Sequence, residues 1–169
     1  DIGNIYSFFE ANLGLTADLP DFNLFDNENA IYTRPRMLPP AKISGTTLEK
    51  TLVAEGSIIH ASRIERSVIG IRSRVGHGTT LVSTYLMGSD FYETLDEIAN
   101  AKAAGIPVIG IGERTYISNA IIDKNVRIGN DVRINGGLHL ENTDNALYTV
   151  KDGIVVVKKG VTIPNGYVI

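Results

Sequence analysis

The chain has 169 residues, 43% of them hydrophobic, with 16 Lys and Arg against 19 Asp and Glu for a formal charge of −3. That length and composition suffice for one core of its own, and the acidic balance argues against a general nucleic-acid binder, which needs a basic face to neutralise phosphates. There is no cysteine, so disulfides and thiolate metal sites are excluded. No apolar run approaches the roughly 20 residues that span a bilayer, and no signal-peptide pattern opens the chain, which points to the cytoplasm. The chain starts at Asp1 without an initiator Met, so a piece of a longer protein is expected.

Ile5, Phe8, Phe9, Leu13 and Leu15 fall at near-helical spacing with Gly14 near the end, which predicts a short amphipathic helix. From Pro20 to Pro40 four prolines, several Asp and Asn and scattered aromatics predict an extended linker lying along another surface.

From Ile43 onward an aliphatic residue recurs every five or six positions: Ile43, Leu48, Val53, Ile58, Ile64, Ile69, Val75, Leu81 and Leu86. That period fits neither an α-helix nor an alternating strand. It fits a hexapeptide repeat, in which six residues make one flat face of a triangular coil and point one aliphatic side chain to the axis. Gly70, Gly76 and Gly78 fall where turns are needed. The repeat stops at Gly88, and YETLDEIANAKAAG reads as a helix ending at Gly105. It resumes with Ile117, Ile122, Ile128 and Ile134, breaks at a polar loop from about Glu141 to Asn145, and closes with aliphatic runs at 154–157 and 161–163. The competing architecture is an antiparallel sandwich, but the same spacing on both sides of a helical interruption favours the solenoid. The fold class expected is mainly β, a left-handed parallel β-helix of hexapeptide repeats; left-handed coils of this kind are exceptions to the right-handed crossover rule, so the handedness is not derivable from the period.

His60, His77 and His139 have no paired short spacing, so no local metal site is expected. A catalytic base of a hexapeptide acyltransferase is one reading of His60 or His77, and a coil-turn histidine is the other. Neither a Ser, His and Asp set nor a dinucleotide fingerprint is present, since GIG at 110–112 lacks the third glycine. Arg63, Arg66, Arg72 and Arg74 crowd one segment, and a six-residue period places Arg66 and Arg72 on one face, either facing carboxylates at an interface or simply solvated. Arg34, Arg36, Lys124, Lys151 and Lys159 form a second, scattered cationic set on the linker and the late coils. Convergence of such cations is how a phosphate-sized anion site is made, although spacing alone does not bring them together.

The segments DIGNIYSFFEANLGL, IYTRPRMLPP, SVIGIRSRVG, LMGSDFYET, IGIGERTYISNAIIDKNVRIG and DGIVVVKKGVTIPNGYVI together resemble the C-terminal portion of the glucose-1-phosphate adenylyltransferase (ADP-glucose pyrophosphorylase) family, cyanobacterial and plant type. The resemblance covers nearly the whole chain, with its segments in the family's order. It implies residues 1–17 as the end of a nucleotidyltransferase domain, 18–42 as an extended linker and 43–169 as a β-helix domain with a helical insertion at about 90–105. It further implies that the full-length form makes ADP-glucose and pyrophosphate from ATP and glucose 1-phosphate for glycogen or starch synthesis, in the cytoplasm or in a plant plastid. The catalytic loop and phosphate-binding cations would lie upstream, so this fragment alone is expected to be inactive.

The implied partners are the chain's own catalytic domain, a homotetramer or heterotetramer built through the β-helix, and phosphorylated metabolites with inorganic phosphate; no nucleic acid or membrane is implied. The family's magnesium-holding aspartate falls on Asp1, a role implied only together with the missing catalytic domain and consistent with the one or two carboxylates Mg²⁺ takes beside a triphosphate. Its effector-binding cations fall on Arg36, Lys124 and Lys159, with Arg34 as a further candidate. Three features depart from the family pattern: Arg34 stands where an uncharged polar residue is expected, Lys158 replaces an apolar residue, and the loop before GIVVV is about two residues short. A hexapeptide acyltransferase and a passive β-helix scaffold are the alternatives.

Overall fold

The computed structural model describes residues 3–169. In chain order the elements are α1 (Ile5–Gly14), β1 (Lys42–Ile43), β2 (Thr47–Val53), β3 (Ile58–Ile59), β4 (Arg63–Ile69), β5 (Arg74–Val75), β6 (Thr80–Leu86), α2 (Leu95–Ala103), β7 (Gly110–Ile111), β8 (Tyr116–Ile122), β9 (Arg127–Ile128), β10 (Arg133–Asn135), β11 (Thr143–Asp144), β12 (Tyr148–Lys151), β13 (Ile154–Val157) and β14 (Thr162–Ile163). The long strands β2, β4, β6 and β8 each bend at a left-handed residue, Lys50, Arg66, Ser83 and Asn119, with φ between 44° and 48°. Each therefore supplies two faces of a triangular coil, and the short strands β1, β3, β5, β7, β9 and β14 stack into the third.

Parallel pairing sets three inward ladders. Leu48, Ile64, Leu81, Ile117 and Ile134 align along the first face; Val53, Ile69, Leu86, Ile122 and Val157 along the second; Ile43, Ile59, Val75, Ile111, Ile128 and Ile163 along the third. Most are fully buried, and burying each contributes about 1.5–3 kcal/mol. The second repeat thus continues the first across the insertion, because β6 pairs directly with β8 and β5 with β7. The expected ladder member Ile58 is displaced by its neighbour Ile59, which has no exposed surface.

Residues one coil apart differ by 16 or 17 positions, as in Ile43, Ile59 and Val75 or Ile64 and Leu81. A six-residue step therefore moves to the next corner, which corrects the expected stacking of Arg66 and Arg72. Arg66 instead pairs with Glu10 of α1 at 3.0 Å, whereas Arg72 donates to the Ser89 carbonyl and lies over the Tyr92 ring. The polar loop expected from about Glu141 to Asn145 interrupts the repeat and carries a strand of its own. Strands β11 and β12 form an antiparallel hairpin that adds to β13 at the corner after Gly136.

Asn4 caps α1 by accepting from the Ser7 N–H, and the helix buries Phe9 and Leu13 on the outside of the sheet. The outward residues beneath it, Val68, Tyr85, Ile121 and Val156, are register neighbours on the second face. Residues 20–41 hold no helix or strand, as the prolines predict, and expose Phe22, Phe25, Tyr32 and Met37. Among the described residues no helix is long and apolar enough to cross a membrane.

Candidate functional site

One edge of the prism, where the second face turns into the third, carries the cationic residues. Its corners are Gly56, Arg72, Gly88, Asn125 and Gly160, all at positive φ, linked coil to coil by bonds such as Asn125 N–H to Gly88 O and Gly160 N–H to Lys124 O. Lys124 and Lys159 each precede a corner residue on successive coils, so their backbones are about 4.8 Å apart in the hydrogen-bonding direction. A corner presents its side chains outward, away from the apolar axis.

Between the two ammonium groups lies Asp90. Lys124 Nζ is 2.8 Å from Asp90 Oδ1, and Lys159 Nζ is 3.8 Å from Asp90 Oδ2. The Asn125 amide donates to Asp90 Oδ2 at 3.1 Å, while its oxygen accepts the Asp90 N–H at 2.9 Å and the Ser89 hydroxyl at 3.1 Å. The Lys124 ammonium, and next the Asn125 amide, hold the Asp90 carboxyl below its ordinary value. Glycine is required where this segment leaves the coil: Gly88 has φ +85°, and a Cβ there would meet the Ile71 carbonyl oxygen at 2.1 Å.

The insertion that carries Asp90 is anchored at both ends. Glu93 pairs with Arg127 at 2.6 Å and accepts the Ile109 N–H at 2.8 Å; Arg127 also donates to the Pro107 carbonyl. Thr94 and Glu97 form a reciprocal capping box that starts α2, and Gly105 follows its end as expected. None of the α2 residues is buried, so the helix stands off the solenoid. The Tyr92 hydroxyl donates to the Gly56 carbonyl at 2.8 Å, on the same edge of the prism. Tyr85 lies beneath α1, its ring 5.7 Å from that of Phe8, and burial raises its hydroxyl pKa while the Lys124 charge opposes that rise.

Of the expected effector cations, Lys124 and Lys159 come together. Arg36 and Arg34 are exposed on the segment before β1, and among the described residues their side chains make no hydrogen bond or ion pair. That segment nonetheless reaches the same edge, because the Pro39 carbonyl accepts the Gly56 N–H at 2.7 Å. Lys158 and Lys151 belong elsewhere: Lys158 is tied to Asp144 at 2.7 Å in the hairpin, and Lys151 lies 3.8 Å from Asp152. The Asp1 assignment falls outside the described residues.

Asp90 and Asn125 are not legible in the sequence as parts of this cluster, since 35 positions separate them and the insertion hides their common edge. His60 and His77, without a short spacing in the sequence, meet in the fold, where their rings stack at 4.6 Å between centroids. Their separation of 17 residues is one coil, and that was the available signal. Stacked faces do not aim both imidazoles at one ion, and among the described residues no cluster of three or more His, Asp or Glu could hold a metal.

The comparisons agree with the fold. The family model described as the GLGC left-handed parallel beta-helix domain matches residues 36–168. The chain is also similar to the glucose-1-phosphate adenylyltransferase small subunit, chloroplastic/amyloplastic, of Triticum aestivum, with 43% identity over 176 positions that cover all of this chain and 36% of the relative. The chain therefore spans about a third of that relative's length. With its three aliphatic ladders, its helical insertion after the third coil and a family match that begins at Arg36 and runs through the closing coils, the chain belongs to the GLGC left-handed parallel β-helix domain family.

Proposed function

We propose that this chain is the regulatory and assembly region of a glucose-1-phosphate adenylyltransferase, and that its edge at Lys124 and Lys159 binds the phosphoryl group of an effector. The carrying observation is the pair of ammonium groups from successive coils gathered on one carboxylate. Two charged donors at one point are what a dianionic phosphate needs, and charge-assisted bonds contribute about 1.5–3 kcal/mol each. Arg36, with Arg34 beside it, would add donors from the segment that docks at Gly56 on the same edge.

The full-length form would join ATP to glucose 1-phosphate, releasing pyrophosphate, with Mg²⁺ held in its catalytic domain. Among the described residues no cluster of carboxylates and histidines fits a Mg²⁺ site. The relative is a subunit and is chloroplastic/amyloplastic, which supports an oligomer for this protein and, in a plant, a plastid location. The region alone would make no ADP-glucose, because phosphoryl transfer depends on positioning groups that this chain does not carry.

The test uses the full-length protein. Lys124→Ala and Lys159→Ala should each weaken binding of inorganic phosphate, measured by equilibrium dialysis, by about tenfold. Unchanged binding in both variants would reject the site and leave a passive scaffold.

A further inference from the structure

The edge at Lys124 and Lys159 already holds an anion of its own. Asp90 reaches both lysines, and its backbone and carboxylate are both braced by Asn125, so the carboxylate sits there by construction and not by chance of an exposed rotamer. The segment that carries it leaves the coil through Gly88, which no other residue replaces without meeting the Ile71 carbonyl. It is then pinned on its far side by the Glu93–Arg127 pair and the Tyr92–Gly56 bond. The groups that face Asp90 are thus Lys124, Lys159 and Asn125, two cations and one amide that could serve a phosphate equally well.

We propose that Asp90 is an internal occupant of the anion site, which a phosphoryl ligand must displace in order to bind. The inference rests on the anion-site reading above. A monocarboxylate or chloride offers the lysines no more charge than Asp90 does, and Asp90 has no translational freedom to lose, so it wins. A phosphate dianion carries more charge and three strong acceptor oxygens, so it displaces the carboxylate. Because Lys159 and Asp90 are substantially exposed, each ion pair is weak, and the competition costs a phosphate only a modest factor. Displacement also frees the first residues of the insertion, which ties anion binding to the order of residues 89–94.

The experiment measures binding of inorganic phosphate and of acetate to the full-length protein by equilibrium dialysis, for the parent and for Asp90→Asn, Asp90→Ser, Asp123→Asn, Lys124→Ala and Lys159→Ala. Asp90→Asn and Asp90→Ser should bind phosphate roughly three- to tenfold tighter, from the loss of one or two exposed ion pairs, and acetate by no larger a factor, because an internal competitor lowers the affinity of every ligand alike. Asp123 lies next to Lys124 in sequence, but its carboxylate accepts the Lys124 backbone N–H at 2.6 Å, so Asp123→Asn reports the effect of removing charge without vacating the site. Its change should stay below about twofold, as for a pair of charges screened by solvent. If both Asp90 variants bind phosphate no tighter than the parent, or if Asp123→Asn gains as much as they do, internal occupancy is overturned while the lysine site stands. If the two lysine variants also bind like the parent, both the site and its occupant are wrong.

Discussion

Glu93 and Arg127 are joined at 2.6 Å, with the Glu93 side chain only 4% exposed and the arginine at 26%. The glutamate comes from the insertion and the arginine from β9, so one buried pair fastens the excursion to the coil that follows it. Losing one partner of a buried pair leaves the other charge without compensation, and costs of about 3–5 kcal/mol are known for full burial. With Arg127 partly exposed, Glu93→Ala should cost about 2–4 kcal/mol in chemical denaturation. Hydrogen exchange should rise across residues 89–109 more than in β2 or β4. Equal protection of the insertion in parent and variant would show that the pair does not anchor it.

The aliphatic ladders predict a graded response along the axis. Ile117 is fully buried in the middle of its ladder, whereas Ile43 stands at the open first coil, 41% exposed. Ile117→Ala should cost about 2–5 kcal/mol and Ile43→Ala much less, since the cavity term arises only where neighbours close the space on all sides. Thermal or urea unfolding of the two variants checks this order, and equal losses would contradict a continuous core.

Much of that core was legible in the sequence because few architectures besides a triangular coil bring an aliphatic residue inward every five or six positions. Eight of the nine residues picked from 43–86 are ladder members, and the miss, Ile58, has an equally aliphatic neighbour one step on. What the period could not convey is which corner a polar residue occupies. Arg66 and Arg72 are six apart and so on different corners, whereas His60 and His77 are seventeen apart and stack. Asp90 was hidden for a further reason: its meeting with Lys124 depends on how the insertion re-enters the solenoid, which Glu93, Arg127 and Ile109 determine through contacts with no periodic signature.

The shifted groups give stability two different pH limits. The Asp90 carboxyl is held below its ordinary 3.8 by Lys124 and Asn125. A lowered folded-state value contributes stability that is present above the unfolded value and is lost as pH falls through the folded one. The difference between the parent and Asp90→Asn should therefore be flat from about pH 5 to 8 and shrink below about pH 4. Tyr85 behaves in the opposite sense, because burial raises its hydroxyl above its ordinary 10.0. Its contribution is complete below that value and is lost as pH rises through the folded one. Tyr85→Phe should consequently flatten the fall in stability above about pH 10, measured by urea midpoints across the alkaline range.

Arg36 offers the sharpest test of how far the anion site extends. The corner at Gly56, where Pro39 docks, is three coils below the Asn125 corner, a rise of about 14 Å at the usual strand spacing. Three residues of chain reach about 10 Å when extended, and the Arg36 and Lys124 side chains add several ångströms each, so a shared phosphate is within span. Arg36→Ala should weaken phosphate binding to the full-length protein by several-fold or more, as the loss of one charge-assisted donor requires. The double variant with Lys124→Ala separates two possibilities that the single variants do not. Donors to one bound anion are coupled by about 0.5–3 kcal/mol, whereas independent sites add to within about 0.5 kcal/mol. Strict additivity would remove Arg36 from the site and confine it to the lysine edge. Coupling would mean that the segment before β1 is drawn up the prism edge by the ligand, which places the chain entering the solenoid and its closing coils under the control of one phosphoryl group.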